Sequence, residues 1–279
     1  MRTRTLSALA YAAVFLGCAW LGGATWTAFV ALLSLVGARE AADLVAGGGG
    51  GRAQQGIVLA AALLLPPLWL LAGPEAMLPA LLLVVLAAGA AQLLIPAEER
   101  STLDYLATLA LPLAVSLPLA HLVGLRQLAA GEWRAGAPWL LVVLALVWTN
   151  DSAAYLVGRA IGRRPFFPSV SPKKTLEGAL GGLLACGLLG AALPRLAAGV
   201  PLLPGDRVLA SWQGLLLGLL LAALGSAGDL VESFLKRQAG VKDSGRLIPG
   251  HGGILDRVDS LIWVVPVAYH LVAWLAGGS

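Results

Sequence analysis

From Asp229 to Ser260 the chain reads DLVESFLKRQAGVKDSGRLIPGHGGILDRVDS, with five carboxylates and six basic side chains, counting His251, between two hydrophobic segments. Asp229, Glu232, Ser233 and Lys236 are spaced i, i+3, i+4 and i+7, so on a helix they line one face, flanked by Leu, Val and Phe. Asp256 and Asp259 are i, i+3 at the start of the next apolar segment. Carboxylates there suit the positive end of a helix macrodipole, so capping and chemistry are both readings of this pair. The loop between holds Lys242, Asp243, Arg246, His251, Gly252 and Gly253. Carboxylates from facing helices can hold Mg²⁺, which takes oxygen ligands and usually shares its shell with phosphates. Lys and Arg take remaining phosphate oxygens, and glycines let backbone come close to them. These are the parts for phosphoryl or nucleotidyl transfer by electrostatic stabilisation. For His251 three roles stay open: orienting a phosphate, proton transfer, or hydrogen bonding within the loop.

A second polar stretch, WTNDSAAYLVGRAIGRRPFFPSVSPKKTLEGALGG, runs from Trp148 to Gly182. Asn150 and Asp151 fall inside an apolar segment, where a charged side chain near the centre costs about 2.5 to 3.5 kcal/mol on insertion scales. Asp151 therefore either pairs with a nearby Arg or Lys or contacts substrate or metal. Further on, Ser171-Pro172-Lys173-Lys174-Thr175 leads into a helix with Thr175 as N-cap and Glu177 and Gly178 in its first turn. Free N–H groups at a helix N-terminus attract anions, and two lysines beside hydroxyls sharpen that preference for phosphate. The alternative is a basic loop that only sets topology. Ser171 and Lys174 also match the Ser-x-x-Lys spacing of penicillin-recognising enzymes, a short pattern that nothing else supports.

The elements that must position these residues belong in lipid. Hydrophobic residues make up 58% and charged residues 12% of the 279, the latter roughly half the share of a soluble domain. Nine candidate spans of adequate length follow, at about 5 to 21, 25 to 45, 56 to 72, 75 to 95, 102 to 124, 136 to 158, 176 to 196, 208 to 230 and 258 to 276. Leu and Ala dominate them and strand alternation is absent, which predicts an all-α polytopic membrane protein rather than a barrel. The first segment, after Arg2 and Arg4, is expected to be a retained helix because no small-residue cleavage site follows it. Cys18 and Cys186 each sit alone in an apolar run and are expected to be packing residues. The run AGGGGGRAQQ from Ala46 to Gln55 lacks the Lys-Ser/Thr ending of a phosphate-binding P-loop and is expected to be a flexible linker.

If nine helices alternate sides, 15 of the 19 Lys and Arg residues fall on one side. The positive-inside rule puts that side in the cytoplasm, with the N-terminus in and the C-terminus out. The net charge of +4 then reflects topology and attraction to anionic headgroups, with no nucleic acid implied. Both polar stretches lie on the cytoplasmic side, as two walls of one expected site. No internal repeat is visible, which weighs against an inverted-repeat transporter.

In full, Ser233-x-Leu235-Lys236-Arg237, then four residues, Lys242-Asp243-x-Gly245, then Ile248-Pro249-x-His251-Gly252-Gly253-Ile254-x-Asp256-Arg257-Val258-Asp259, resembles the signature of the phosphatidate cytidylyltransferases, or CDP-diacylglycerol synthases. Asn150-Asp151, Gly158-Arg159 and Ser171-Pro172-Lys173-Lys174-Thr175-x-Glu177-Gly178 resemble that family's other conserved stretch. The resemblance is strong over about residues 120 to 276 and compositional before that. Ala153 stands where Gly is expected, Leu176 where an aromatic is common, and the run Gly47 to Gly51 is particular to this chain.

The resemblance implies transfer of the CMP moiety of CTP to phosphatidic acid, giving CDP-diacylglycerol and pyrophosphate, at the inner membrane. It implies Mg²⁺, with a second, monovalent ion such as K⁺ in some family members. Asp229 and Asp256 are the expected metal ligands, with Glu232 and Asp259 as alternates or supports. Lys173, Lys174, Lys236 and Lys242 are expected to hold phosphates, and Arg257 to neutralise a phosphate or a carboxylate. Asn150, Asp151, Ser171, Thr175, Glu177, Arg237, Asp243, Gly252 and Gly253 complete the expected substrate contacts, and His251 joins the catalytic set. Residues 1–125 are expected to be N-terminal helices, suited to forming a homodimer, and residues 126–279 the catalytic region. A CTP-dependent lipid kinase and an ion-coupled transporter using Asp151, Asp229 and Asp256 are the competing readings. On the first reading Asp256→Asn abolishes activity at unchanged expression, measured as CDP-diacylglycerol formed from CTP and phosphatidic acid.

Overall fold

The computed structural model describes residues 2–128, 137–197, 209–248 and 252–275. The apolar runs form nine helices among the described residues: α1 (Arg2–Leu21), α2 (Gly23–Gly47), α3 (Gln55–Ala72), α4 (Met77–Leu94), α5 (Thr102–Gln127), α6 (Ala137–Ile161), α7 (Leu176–Leu196), α8 (Ser211–Gln238) and α9 (Leu255–Leu275). α5 is interrupted by a π turn at Pro112–Ser116. No strand occurs among the described residues, only two isolated bridges, Pro165 with Thr175 and Ile248 with Gly252.

Seven helices, α3 to α9, are long and apolar enough to cross a membrane. With α1 and α2 they make nine helices among the described residues, which fits the expected polytopic helical membrane protein. Among the described residues α1 contributes the shorter apolar stretch Ala10–Leu21, and the second half of α2 carries Arg39, Glu40 and Asp43, whose charge lowers its hydropathy. α8 continues past the expected end at 230 to Gln238, closed by Lys236 and Arg237 in its last turn, where cations suit the negative end of the dipole. Asp229, Glu232, Ser233 and Lys236 are therefore all helical.

The chain divides into two compact units, Met1–Gly124 with Leu235–Val258, and Leu125–Phe234 with Asp259–Ser279. The end of α8, the loop after it and the first residues of α9 thus group with the N-terminal helices. In this first unit the Trp26 indole N–H donates to the carbonyl of Leu122 at 3.1 Å in a buried position. Trp69 lies against the His121 ring, with centroids 4.5 Å apart. The glycine run is no flexible linker. Gly51 sits at φ 95°, and a Cβ there would lie 2.5 Å from the Leu103 carbonyl carbon. The following backbone is tied down: Arg52 N–H donates to Asp104 Oδ1 at 2.6 Å and Gln54 N–H to Thr108 Oγ1 at 2.9 Å. Glycine is needed there for positive φ and close approach.

In the second unit α6, α7 and α8 pack through small residues, which lets helix backbones approach in lipid, where packing drives association. A Cβ on Gly190 would overlap the carbonyl of Gly214, and one on Gly218 the carbonyl of Cys186. Cys186 is fully buried, and its thiol donates to the Leu146 carbonyl at 3.0 Å. A Gly190→Leu variant is expected to lose about 1–3 kcal/mol through overpacking, read as a lower thermal midpoint in detergent. Gly89→Ala, where the added carbon meets nothing within 4 Å, is the control expected to leave the midpoint unchanged.

Candidate functional site

The second unit builds its polar group from the loop between α6 and α7. Thr175 caps α7 as expected, its Oγ1 accepting from Gly178 N–H at 3.2 Å. The loop folds back on itself through Phe166 N–H to the Lys174 carbonyl at 2.8 Å and Leu176 N–H to the Arg164 carbonyl at 2.9 Å. Ser171 and Lys174 sit on a turn, with Ser171 N–H donating to the Phe167 carbonyl and Lys174 N–H to the Ser171 carbonyl. Phe167 takes positive φ, 52°, to make that turn. Glu177, among the expected substrate contacts, accepts the backbone N–H groups of Arg163 and Arg164 on one oxygen, at 3.0 and 3.2 Å. It anchors the loop.

From that loop Lys174 reaches Asp229 on α8, Nζ to Oδ2 at 2.6 Å, both side chains about one-third exposed. The other oxygen of Asp229 accepts the Ser233 hydroxyl at 3.3 Å. Lys173, beside it, is exposed. Asn150 is buried and its amide donates to Ser226 at 3.2 Å, with Asp151 Oδ1 at 3.4 Å. On α9, Asp259 accepts Ser260 N–H at 2.6 Å, and the Ser260 hydroxyl donates to the Gly225 carbonyl at 3.1 Å. Glu232, Asp229 and Asp151 are the acidic neighbours that act on Asp259.

The first unit holds the other group. Lys236 and Asp256 form a buried ion pair, Nζ to Oδ1 at 2.7 Å, with side chains 11% and 7% exposed. The second Asp256 oxygen accepts Gly253 N–H at 2.8 Å and both the N–H and the hydroxyl of Ser244 at 2.9 Å. Both oxygens of this expected metal ligand are thus engaged in holding the loop after α8 to the start of α9. The loop leaves α8 through Val241 N–H to the Lys236 carbonyl at 2.9 Å, and closes with Ile248 N–H to the Gly252 carbonyl at 3.0 Å. Arg237 donates to the Val241 carbonyl at 3.2 Å. Lys242, Asp243, Arg246 and Arg257 are exposed, and His251 lies outside the described residues.

Gly252 and Gly253, expected to admit phosphate, have nearer neighbours. A Cβ on Gly252 would overlap Asp256 Oδ2, and one on Gly253 would overlap Glu40. Glu40 and Ser244 are the residues that sequence reasoning missed. Glu40, on α2 and 8% exposed, accepts Ile254 N–H at 3.1 Å, Leu255 N–H at 2.8 Å and lies 2.9 Å from the Ser244 hydroxyl. The available signal was a glutamate in an apolar helix that its neighbours Arg39 and Asp43 do not use, since those two pair with each other at the surface.

All the candidate donors are hard oxygens, the chemistry Mg²⁺ prefers, and no group of three or more His, Cys, Asp or Glu among the described residues is arranged to hold an ion. Removing the Glu177 anchor tests the loop geometry. Glu177→Ala is expected to speed amide exchange at Arg163 and Arg164 and to open the Arg163–Arg164 bond to trypsin, with α7 otherwise intact.

A family model described as "Cytidylyltransferase family" matches residues 2–275. The phosphatidate cytidylyltransferase of Bacillus subtilis (strain 168) is 44% identical over 138 residues, 50% of this chain and 48% of that protein. The phosphatidate cytidylyltransferase of Staphylococcus haemolyticus is 46% identical over 132 residues, 47% of this chain and 48% of that protein. A protein of Escherichia coli (strain K12) named "Uncharacterized protein YnbB" is 44% identical over 156 residues, 56% of this chain and 49% of that protein. The chain spans about half the length of the curated relatives it matches.

Proposed function

We propose that this chain, which belongs to the cytidylyltransferase family, transfers the CMP moiety of CTP to phosphatidic acid, giving CDP-diacylglycerol and pyrophosphate. The observation that carries this reading is a pair of lysine–aspartate contacts, Lys174 to Asp229 at 2.6 Å and Lys236 to Asp256 at 2.7 Å. Each keeps a cation in place beside a carboxylate in a chain that is otherwise apolar. The names of the Bacillus and Staphylococcus relatives point the same way.

In the proposed reaction a phosphate oxygen of the lipid attacks the α-phosphorus of CTP, the bond to the bridging oxygen breaks, and pyrophosphate leaves. No protein nucleophile is needed, so catalysis rests on positioning and on neutralising charge that builds on the phosphate oxygens. Lys174, already ordered by its turn, moves from Asp229 to a phosphate oxygen; Lys173, on the same turn, adds a second cation. Lys236 does the corresponding work for its own group, with Lys242 and Arg257 exposed nearby in sequence. Mg²⁺, when bound, supplies Lewis-acid charge to the triphosphate. Asp229 is the residue best suited to hold it, with Glu232 and Asp259 beside it, and Asp256 serves once Lys236 has left its oxygen. The orientation read from the basic residues, with the N-terminus and both lysine groups in the cytoplasm where CTP is found, belongs to the same proposal.

The purified full chain, given CTP, phosphatidic acid and Mg²⁺, is expected to form CDP-diacylglycerol and pyrophosphate in equal amounts. Asp229→Asn is expected to lower kcat by about 100-fold or more, the scale of losing an oriented charge in the transition state. Lys174→Met is expected to raise KM for CTP more than it lowers kcat. A folded chain that releases CDP rather than pyrophosphate, or an Asp229→Asn variant of full activity, overturns the assignment.

A further inference from the structure

The first helices look like plain membrane segments, yet one of them reaches the signature loop with a buried carboxylate. Glu40 lies more than two hundred residues from its partners in sequence. Its Oε1 accepts Ile254 N–H and its Oε2 accepts Leu255 N–H. Those amides are the last residue before α9 and its first residue, both buried. The first N–H groups of a helix have no acceptor within it, and a buried donor left without one is costly. A carboxylate here also suits the positive end of the α9 dipole.

Capping alone does not account for the rest of the arrangement. The Ser244 hydroxyl stands 2.9 Å from Glu40 Oε2 and 2.9 Å from Asp256 Oδ2, and Asp256 N–H reaches the same hydroxyl at 3.3 Å. A hydroxyl has one hydrogen, so it donates to one of these carboxylates at a time. Gly245 and Gly253 are both pressed against the Glu40 carboxylate so closely that any side chain at either position would overlap it. Two glycines of the signature are thus fitted to Glu40. The oxygen of Asp256 that faces Ser244 is the one that also receives Gly253 N–H, while its other oxygen holds Lys236.

We propose that Glu40 is a positioning residue for the transfer reaction, acting through Ser244 on Asp256. When Asp256 gives up its present donors to serve substrate, the Ser244 hydroxyl turns its hydrogen to Glu40. The loop then keeps its place on α9 while the Asp256 carboxylate is released. The proposal rests on the cytidylyl-transfer reading for its kinetic consequence, but its geometric consequence stands apart from that reading.

The test uses the full chain in detergent with three variants, Glu40→Gln, Ser244→Ala and the double substitution. Glu40→Gln keeps the size of the side chain and turns an N–H group toward a backbone N–H that needs an acceptor. Amide exchange at whichever of Ile254 and Leu255 faces the new N–H group is expected to rise at least about 10-fold in Glu40→Gln, the effect of losing one hydrogen bond to a charged group. Unchanged exchange at both amides overturns the proposal. In the kinetic arm Glu40→Gln and Ser244→Ala are each expected to lower kcat about 10-fold or more. The double variant is expected to be no slower than the slower single variant, because the two act along one chain of contacts. Losses that multiply in the double variant overturn the relay through Ser244 and leave a cap only. If the wild-type chain forms no CDP-diacylglycerol, the functional reading fails and the exchange measurement alone decides the role of Glu40.

Discussion

An ion pair inside a chain built for lipid is the constraint on which the rest of this structure depends. Lys236 and Asp256, both nearly inaccessible and 2.7 Å apart, are tolerable together and costly alone, because breaking a buried pair leaves an uncompensated charge. The pair ties the last turn of α8 to the first turn of α9, and the other Asp256 oxygen gathers Ser244 and Gly253. Ser244 in turn faces Glu40. One contact thus fixes a loop whose remaining charges, on Lys242, Asp243 and Arg246, are exposed.

The second unit meets the same constraint differently. Lys174 and Asp229 are only partly withdrawn from solvent, so their contact is weaker in net terms and easier to exchange for a ligand. What is rigid there is the frame: Glu177 gripping two backbone amides, Thr175 capping α7, and glycines letting α7 meet α6 and α8. A lysine on a well-held turn, resting on a carboxylate it can leave, is suited to receiving a phosphate without reordering the backbone.

Much of this was legible in the sequence, and the parts that were not share a cause. Helix number, the Thr175 cap and the polar face of α8 follow from apolar runs, a hydroxyl before a helix and i, i+3, i+4 spacing, all of them local signals. The glycine run at 47–51 looked like a linker because composition alone does not show Leu103 packed against Gly51. Gly253 suggested phosphate because its neighbour Glu40 is far away in sequence. Glu177 fits the helix start that was expected, yet its oxygen serves backbone amides at 163 and 164. The partners that the sequence does not show are those set by tertiary contact, which periodicity does not encode.

The central claim is that the two lysine–aspartate groups serve transfer of a nucleotidyl group to a lipid phosphate. Its most direct test follows the fate of each phosphate of CTP, using the purified chain, phosphatidic acid and CTP labelled either at the α or at the γ position. The account predicts that α label enters the lipid product and γ label leaves as pyrophosphate. Entry of γ label into lipid, with α label retained in CDP, would contradict it.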